Sequence, residues 1–411
     1  MKDASRRPNL SRGEEEEPIK VKLAIISFLL IILFFLTTGC WDRTEINTLG
    51  IVDSFAVDKK GELYEVIIEL INPSGLARQE GGAQKKTVIQ NATGTTIFAA
   101  VRNLNFFLTR KPYISHNRVF IVGEELARDS IGEAIDFARR DPEVRRTVFV
   151  ILARGDIREI FQTRGRLEKT IGMQITKIIA DHWTTSYLPM IDLNDFSSAM
   201  SSSTASPYMP VVYAIDNPLT EKPEITTEKD KVIKIEGLAV FSGDQLKGYL
   251  NRAETRGVLW LNGDVKSGII SLNSQTEHNP GRDDTSIELK RQQTEIVPLI
   301  QGGKYSITAK IKAVGNVGCY IGNLNLTDPK AIAELERLTE EKIKEEIMMA
   351  LNKALGQYRT DIFNFGAQFM IKYPEQQALI EKNWPEILEV LAVNLEVDFQ
   401  IEKIGMVGTS K

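Results

Sequence analysis

The residue best placed for chemistry is Cys40, which directly follows Gly39 where an apolar run, residues 23–36, gives way to charge in "FFLTTGCWDRTE". A cysteine so placed matches the site at which a diacylglycerol thioether is attached. Cleavage after Gly39 would then make Cys40 the first residue of the mature chain. Thr37 stands three places before the cysteine, where such motifs ordinarily carry an aliphatic residue, and Leu36 lies one place further back. The other candidates are scattered. His116, His182 and His278 are too widely separated for the spacing of helical metal sites. Asp181 adjoins His182, but neighbours i and i+1 point in different directions on a helix. "HNPGRDD" offers His278, Asp283 and Asp284 to a cation, in a stretch with the composition of a solvated loop. There is no nucleophile elbow, Ser-x-x-Lys pair, phosphate loop or dinucleotide fingerprint. The sequence therefore predicts a non-enzymatic chain with no catalytic, cofactor-binding or metal-binding residues. Cys319, in "GNVGCYIG", is the second of only two cysteines and reads as a buried strand thiol.

Cys40 depends on what precedes it. Lys20 and Lys22 give a positive flank to an apolar run of fourteen residues, 23–36. A helix needs about 20 apolar residues to cross a bilayer, whereas export signals use apolar runs of roughly 7–15. Length thus favours a lipoprotein export signal over residues 1–39. An uncleaved anchor, its run extended by the threonines, and export without lipid remain open alternatives. Residues 1–20 are a long polar leader with four consecutive glutamates, and "SRRPNL" within it superficially resembles a twin-arginine signal. A translation start further along, near Val21, would give a signal of conventional length, about 20 residues.

The body that would be tethered reads as a soluble α+β protein of more than one domain. Its 411 residues are 42% hydrophobic and 26% charged, with a net charge of −4, which disfavours a nucleic-acid partner. "TLGIVDSFAVD" and "ELYEVIIELI" around a Lys-Lys-Gly turn predict a hairpin, with "KKTVIQNA" as a third strand. Thr95 and Thr96 are positioned to cap a helix over 97–108, and Ser130 one over "SIGEAIDFARR". "RVFIVGEEL" and "RRTVFVILARG" read as strands, with short helices near "DIREIF" and "TIGMQITKIIADHW". The Ser-, Thr- and Pro-rich stretch from "SSAM" to "EKDK" has loop composition, with one strand at residues 208–215. The expected organisation is residues 40–215 as an N-terminal α/β region with one or two subdomains, 216–230 as linker, 231–405 as a C-terminal α+β domain, and 406–411 as tail. The sheets are expected to be mixed or antiparallel with helices packed on them.

The C-terminal part opens on the hairpin "KVIKIEGLAVFSGDQLKGYL" and a short helix ending near Trp260. "KYSITAKIKAVGNVGCYI" reads as a long strand or strand pair. Asp328 and Pro329 then start a long amphipathic helix. Its stripe of Leu335, Leu338, Ile343, Ile347, Leu351 and Leu355 predicts packing on a sheet, with Glu336, Glu340, Lys344 and Glu345 on other faces. Tyr373 and Trp384 read as packing residues.

Three stretches carry a family resemblance. "GCWDRTEINTLGIVDSFAVD", "GLAVFSGDQLKGYLNRAETRGVLWL" and "DIFNFGAQFMIKYPEQQALIEKNWPEILEVLAVNLEVDFQIEKIG" occur in that order. They resemble the start, middle and end of the Ger(x)C family, the lipoprotein subunits of spore germinant receptors. Phe365-Gly366, Tyr373-Pro374 and Asn383-Trp384 carry the last match, and Asn364 stands where a glycine is more usual. The resemblance implies a membrane-anchored subunit on the outer face of the spore's inner membrane. It would work with two integral-membrane germinant receptor subunits, one of them transporter-like, and whether it touches the nutrient germinant stays open. Trp41, Asp42 and Glu45 then either contact the membrane-proximal face of the body or simply begin the fold. The alternative is an extracytoplasmic solute-binding lipoprotein that delivers a ligand to a permease. That reading predicts a cleft with convergent polar groups between the domains.

Overall fold

Several strands of the first half are apolar on successive residues, and such strands must be covered on both faces. The computed structural model describes residues 17–36, 48–71, 87–163, 167–181, 186–217, 231–273, 285–321 and 325–404. The chain divides into two compact units, Met1–Leu49 and Gly50–Lys411. In the first lies helix α1 (Glu17–Leu36), which carries Lys20 and Lys22 ahead of the apolar run, broken only by Ser27. Among the described residues no helix is long and apolar enough to cross a membrane.

The second unit begins with the expected hairpin, β1 (Leu49–Lys60) and β2 (Leu63–Ile71), extended by β3 (Thr87–Gly94). Helix α2 (Ile97–Asn103) is capped by Thr96, whose side chain accepts the Ala99 N–H at 3.1 Å. It ends earlier than its apolar spacing predicts, in a 3-10 turn at Leu104–Phe106. There follow β4 (Lys111–Tyr113), β5 (Val119–Gly123), α3 (Glu124–Asp129), α4 (Gly132–Arg140), β6 (Phe149–Ala153), α5 (Ile157–Gln162) and α6 (Ile171–Ala180). Ser130 is not the capping residue of α4: Ile131 occupies that position, while Ser130 accepts the Gly132 N–H and donates to Asp244. The "SSAM" stretch, loop-like in composition, is the end of helix α7 (Leu193–Met200). A reciprocal Asp192–Asp195 capping box overrides the serines there.

Strands β7 (Tyr208–Asp216), β8 (Lys231–Ser242) and β9 (Gln245–Leu250) complete a nine-stranded mixed sheet of order β3-β2-β1-β5-β6-β7-β8-β9, with β4 paired to β1. Residues 218–230, most of the expected linker, lie outside the described residues. The strands flanking them, β7 and β8, pair antiparallel, so one sheet takes strands from both sides of the expected domain boundary. Strand side chains alternate between faces. Phe55, Val57, Phe120, Val122, Val150 and Leu152 therefore fall in one core. Ala56, Ile121, Ile151 and Ala153 fall in another, with Ile157, Ile160, Ile171 and Ile175 of α5 and α6.

The chain continues through α8 (Arg252–Asn262), β10 (Gly268–Leu272), β11 (Thr285–Gln301), β12 (Lys304–Tyr320), α9 (Pro329–Leu351), α10 (Phe365–Lys372), α11 (Gln377–Lys382), α12 (Trp384–Val390) and β13 (Ala392–Lys403). Strands β10 to β13 form a second sheet in sequence order, antiparallel except for the parallel β12–β13 pair. The 17-residue β11 had no clear sequence signature, because Glu, Lys, Arg and Gln crowd its middle. Leu335, Ile343, Ile347 and Leu351 of α9 are buried in the core over this sheet with Trp260, Ile307, Phe369, Trp384 and Phe399. Leu338 and Leu355 are only partly buried beside it. The β8–β9 hairpin serves both sheets: Ala239 and Phe241 point into a core of the first, Leu238 and Val240 into that of the second.

Cys319 is exposed, not buried as its strand context predicts. The cause is a bulge. Val317 pairs with Ile287 while Cys319 pairs with Ser286, so the extra residue at Gly318 shifts the alternation and turns the thiol outward.

Candidate functional site

The lipid-attachment candidate, Cys40, lies with Gly39, Trp41, Asp42 and Glu45 outside the described residues, as do His182, His278, Asp283 and Asp284. His116 is exposed at the end of a short 3-10 turn, its ring edge-on to Tyr113 at 5.7 Å. Among the described residues no group of three or more His, Cys, Asp or Glu is arranged to hold a metal ion. Of the sequence-predicted histidines and their acidic neighbours, only His116 and Asp181 are among the described residues.

It does assemble buried charge that sequence reading did not find. Glu69 of β2 is 1% exposed and accepts the Ser54 hydroxyl at 2.8 Å and the Ile171 and Gly172 N–H groups at the start of α6. Burial raises its pKa against the pull of these donors, with Asp53 nearby adding to the rise. Asp53 in turn accepts the Thr170 hydroxyl at 2.5 Å and Arg118 at 2.9 Å. The two carboxylates therefore pin the N-terminus of α6 to the sheet, where its dipole favours negative charge. Asp58 accepts the Leu126 and Lys59 N–H groups, and burial pushes its pKa up to about 6. Glu65 is clamped by Arg158 of α5 at 2.7 Å. In sequence Glu65 and Glu69 read as part of the alternating other face of a strand. A covering layer formed by distant helices makes them interior.

A second centre fastens the helices over the second sheet. Glu346 of α9 takes both arms of the Arg256 guanidinium of α8 and the Trp260 indole N–H at 3.1 Å. Arg256 also donates to the Tyr187 hydroxyl at 2.5 Å and the Ile269 carbonyl at 2.8 Å. Burial acts to lower the Arg256 pKa, but Glu346 overrides it and holds the group above its ordinary value. Glu336 and Glu340, expected on faces of α9 other than the apolar stripe, accept the N–H groups of Ile401 and Phe399 on β13.

Between the α7–β7 segment and the second sheet lies a groove of about 780 Å³, lined in part by Asp195, Tyr208, Asp264, Thr294 and Asp361. Four of these groups have roles within the fold. Asp361 gathers the N–H groups of Phe363, Phe365 and Gly366 at 3.2, 3.1 and 2.9 Å. Burial raises its pKa to about 6 despite those donors. The Tyr208 hydroxyl accepts from Asn262, Thr294 donates to the Trp260 carbonyl, and Asp195 belongs to the α7 capping box. Ser206 and Asp361 exchange hydrogen bonds across the groove, joining its walls.

Comparison with known proteins gives this body a family. Residues 42–214 match the family described as "Spore germination protein N-terminal domain". Residues 236–405 match "Spore germination B3/ GerAC like, C-terminal". The chain belongs to this Ger(x)C family of spore germination proteins, the C subunits of germinant receptors. It is 25% identical over 403 residues to spore germination protein KC of Bacillus subtilis (strain 168), covering 94% of this chain and 97% of that protein. It is 24% identical over 397 residues to spore germination protein B3 of the same organism, covering 94% and 98%. The crystal structure of the GerBC protein superposes with a TM-score of 0.55 at 18% identity, over 85% of this chain and 97% of that one, which shows a shared fold.

Proposed function

We propose that this chain is the lipid-anchored, non-catalytic subunit of a spore germinant receptor. It is held on the outer face of the spore's inner membrane by diacylglycerol on Cys40. There it assembles with two integral-membrane subunits, one of them transporter-like. Family membership over both halves of the chain supports the receptor role. The observation that carries the assembly role is the way buried charge is used: Glu69, Asp53 and Glu346 each fasten one element to another, and Asp361 holds the turn that leads into α10. Groups committed in this way hold a shape for a partner. Two acyl chains at Cys40 would suffice for stable attachment without a span.

Two experiments test the reading. Cys40→Ala is expected to release the body from the membrane or leave a precursor of higher mass. Unchanged attachment through a cleaved, lipid-free terminus contradicts the anchor. Isolation of the tagged chain from spore membranes under conditions that preserve complexes is expected to bring both integral-membrane subunits with it, and their absence contradicts the assembly role.

The 780 Å³ groove is the observation that favours the solute-binding alternative. A ligand there would have to displace internal bonds of Tyr208, Thr294 or Asp361. A saturable thermal shift with amino acids or sugars would establish it.

A further inference from the structure

The scaffold reading leaves one feature unused, an aromatic pair held out in solvent. Phe106 is 84% exposed and Phe107 63% exposed, in the turn that follows α2. The turn is built firmly. Leu104 is fully buried beneath it, the Phe107 N–H bonds the Leu104 carbonyl at 3.0 Å, and Asn103 bonds the Thr93 carbonyl of β3 at 2.8 Å. Residues 102–111, "RNLNFFLTRK", contain three basic residues and no acidic one in a chain of net charge −4. Lys111 reaches Glu143 at 3.4 Å, whereas Arg110 has no ion pair among the described residues.

Position gives the pair its meaning. A Cβ built on Gly50 would stand 3.7 Å from Arg110 Cβ and 3.7 Å from the Lys111 carbonyl oxygen. The basic end of the turn therefore lies beside the place where the chain enters the body. Cys40 stands ten positions before Gly50, a reach of at most about 36 Å.

We propose that the Phe106–Phe107 turn docks into the membrane interface, its rings among the acyl chains near the head groups and Arg110 and Lys111 against anionic lipid phosphates. Apolar side chains beside basic ones are what an interfacial contact uses. This second contact would fix the orientation of the body, which a flexible tether alone leaves free. The inference needs the body to lie at a membrane but does not require the thioether.

The test places the photoreactive residue benzoylphenylalanine at position 106 of the full-length chain, reconstituted in vesicles of phosphatidylglycerol and phosphatidylethanolamine. The control carries it at position 390, where Val390 is 73% exposed on α12. Irradiation is expected to give at least tenfold more lipid adduct at 106 than at 390. Arg110→Glu with Lys111→Glu should cut the yield at 106 by about fivefold or more, since each basic residue near an anionic surface is worth about a fivefold preference. Equal yields at the two positions overturn the proposal. In native spore membranes, an adduct at 106 with a receptor subunit in place of lipid overturns it in favour of a protein contact. Sedimentation and intact mass report the anchor separately: a chain that stays with the vesicles but gives no lipid adduct sinks the docking and leaves the tether standing. A chain retained by an uncleaved N-terminal helix sinks the thioether and still reads out position 106.

Discussion

Replacing Glu346 with alanine should be among the most damaging single changes in the second core. Its side chain is 3% exposed and that of Arg256 is 5% exposed, so neither charge has water to fall back on. The substitution would leave the guanidinium with only the Tyr187 hydroxyl and Ile269 carbonyl, and would orphan the Trp260 N–H. Removing one partner of a buried pair costs about 3–5 kcal/mol. That is a large share of the roughly 5–15 kcal/mol by which native proteins are stable. At a urea slope of about 3 kcal/mol/M the unfolding midpoint would fall by about 1–2 M. Urea titration followed by tryptophan fluorescence, with the chain in mild detergent, measures this. The compensating pair Arg256→Met with Glu346→Leu should recover most of the loss, because two apolar groups leave no charge stranded. A midpoint within about 0.3 M of wild type for Glu346→Ala, or a double variant no better than the single, would refute the reasoning.

Other predictions follow from the same geometry. Asp58 and Asp361 are each raised from 3.8 to about 6 in the folded chain, so their contribution is fully present below about pH 4 and lost as pH rises through about 6. That loss is at most about 3 kcal/mol per group, and Asp58→Asn should flatten the fall in urea midpoint between pH 4 and pH 7. Gly257→Ala should destabilise by about 1–3 kcal/mol, because a Cβ there would lie 2.2 Å from the Glu346 carbonyl oxygen and force α8 from α9. Thermal unfolding measures it, with Gly356→Ala, where a Cβ meets nothing within 4 Å, as the mild comparison. Cys319 should react with a maleimide without denaturant, since it is exposed. A lipidated Cys40 should not react, so thiol titration of the mature chain should find one group where a lipid-free chain shows two.

Much of the fold was legible in local pattern. Alternation around Gly61 gave the β1–β2 hairpin, and Asp328 with Pro329 gave the start of α9, because turn and cap chemistry are decided by neighbouring residues. Strand β11 was missed because its charged middle hides the alternation that marks a strand. The end of α2 and the cap of α4 were misplaced by a few residues, where tertiary packing overrode capping preference.

By itself the sequence led to the expectation of lipid attachment at Cys40, displayed no recognisable catalytic motif, and carried at its ends and middle the resemblance to one family. Only the tertiary structure decided that Glu65, Glu69, Glu346 and Asp361 are interior, that Cys319 faces out, and that the β8–β9 hairpin crosses the expected boundary to serve both sheets. The same holds for the Phe106–Phe107 turn, whose place beside the entry of the chain depends on β1 and β4 meeting. The physical reason is common to all of these. Burial depends on what covers a residue, and each cover comes from an element far away along the chain.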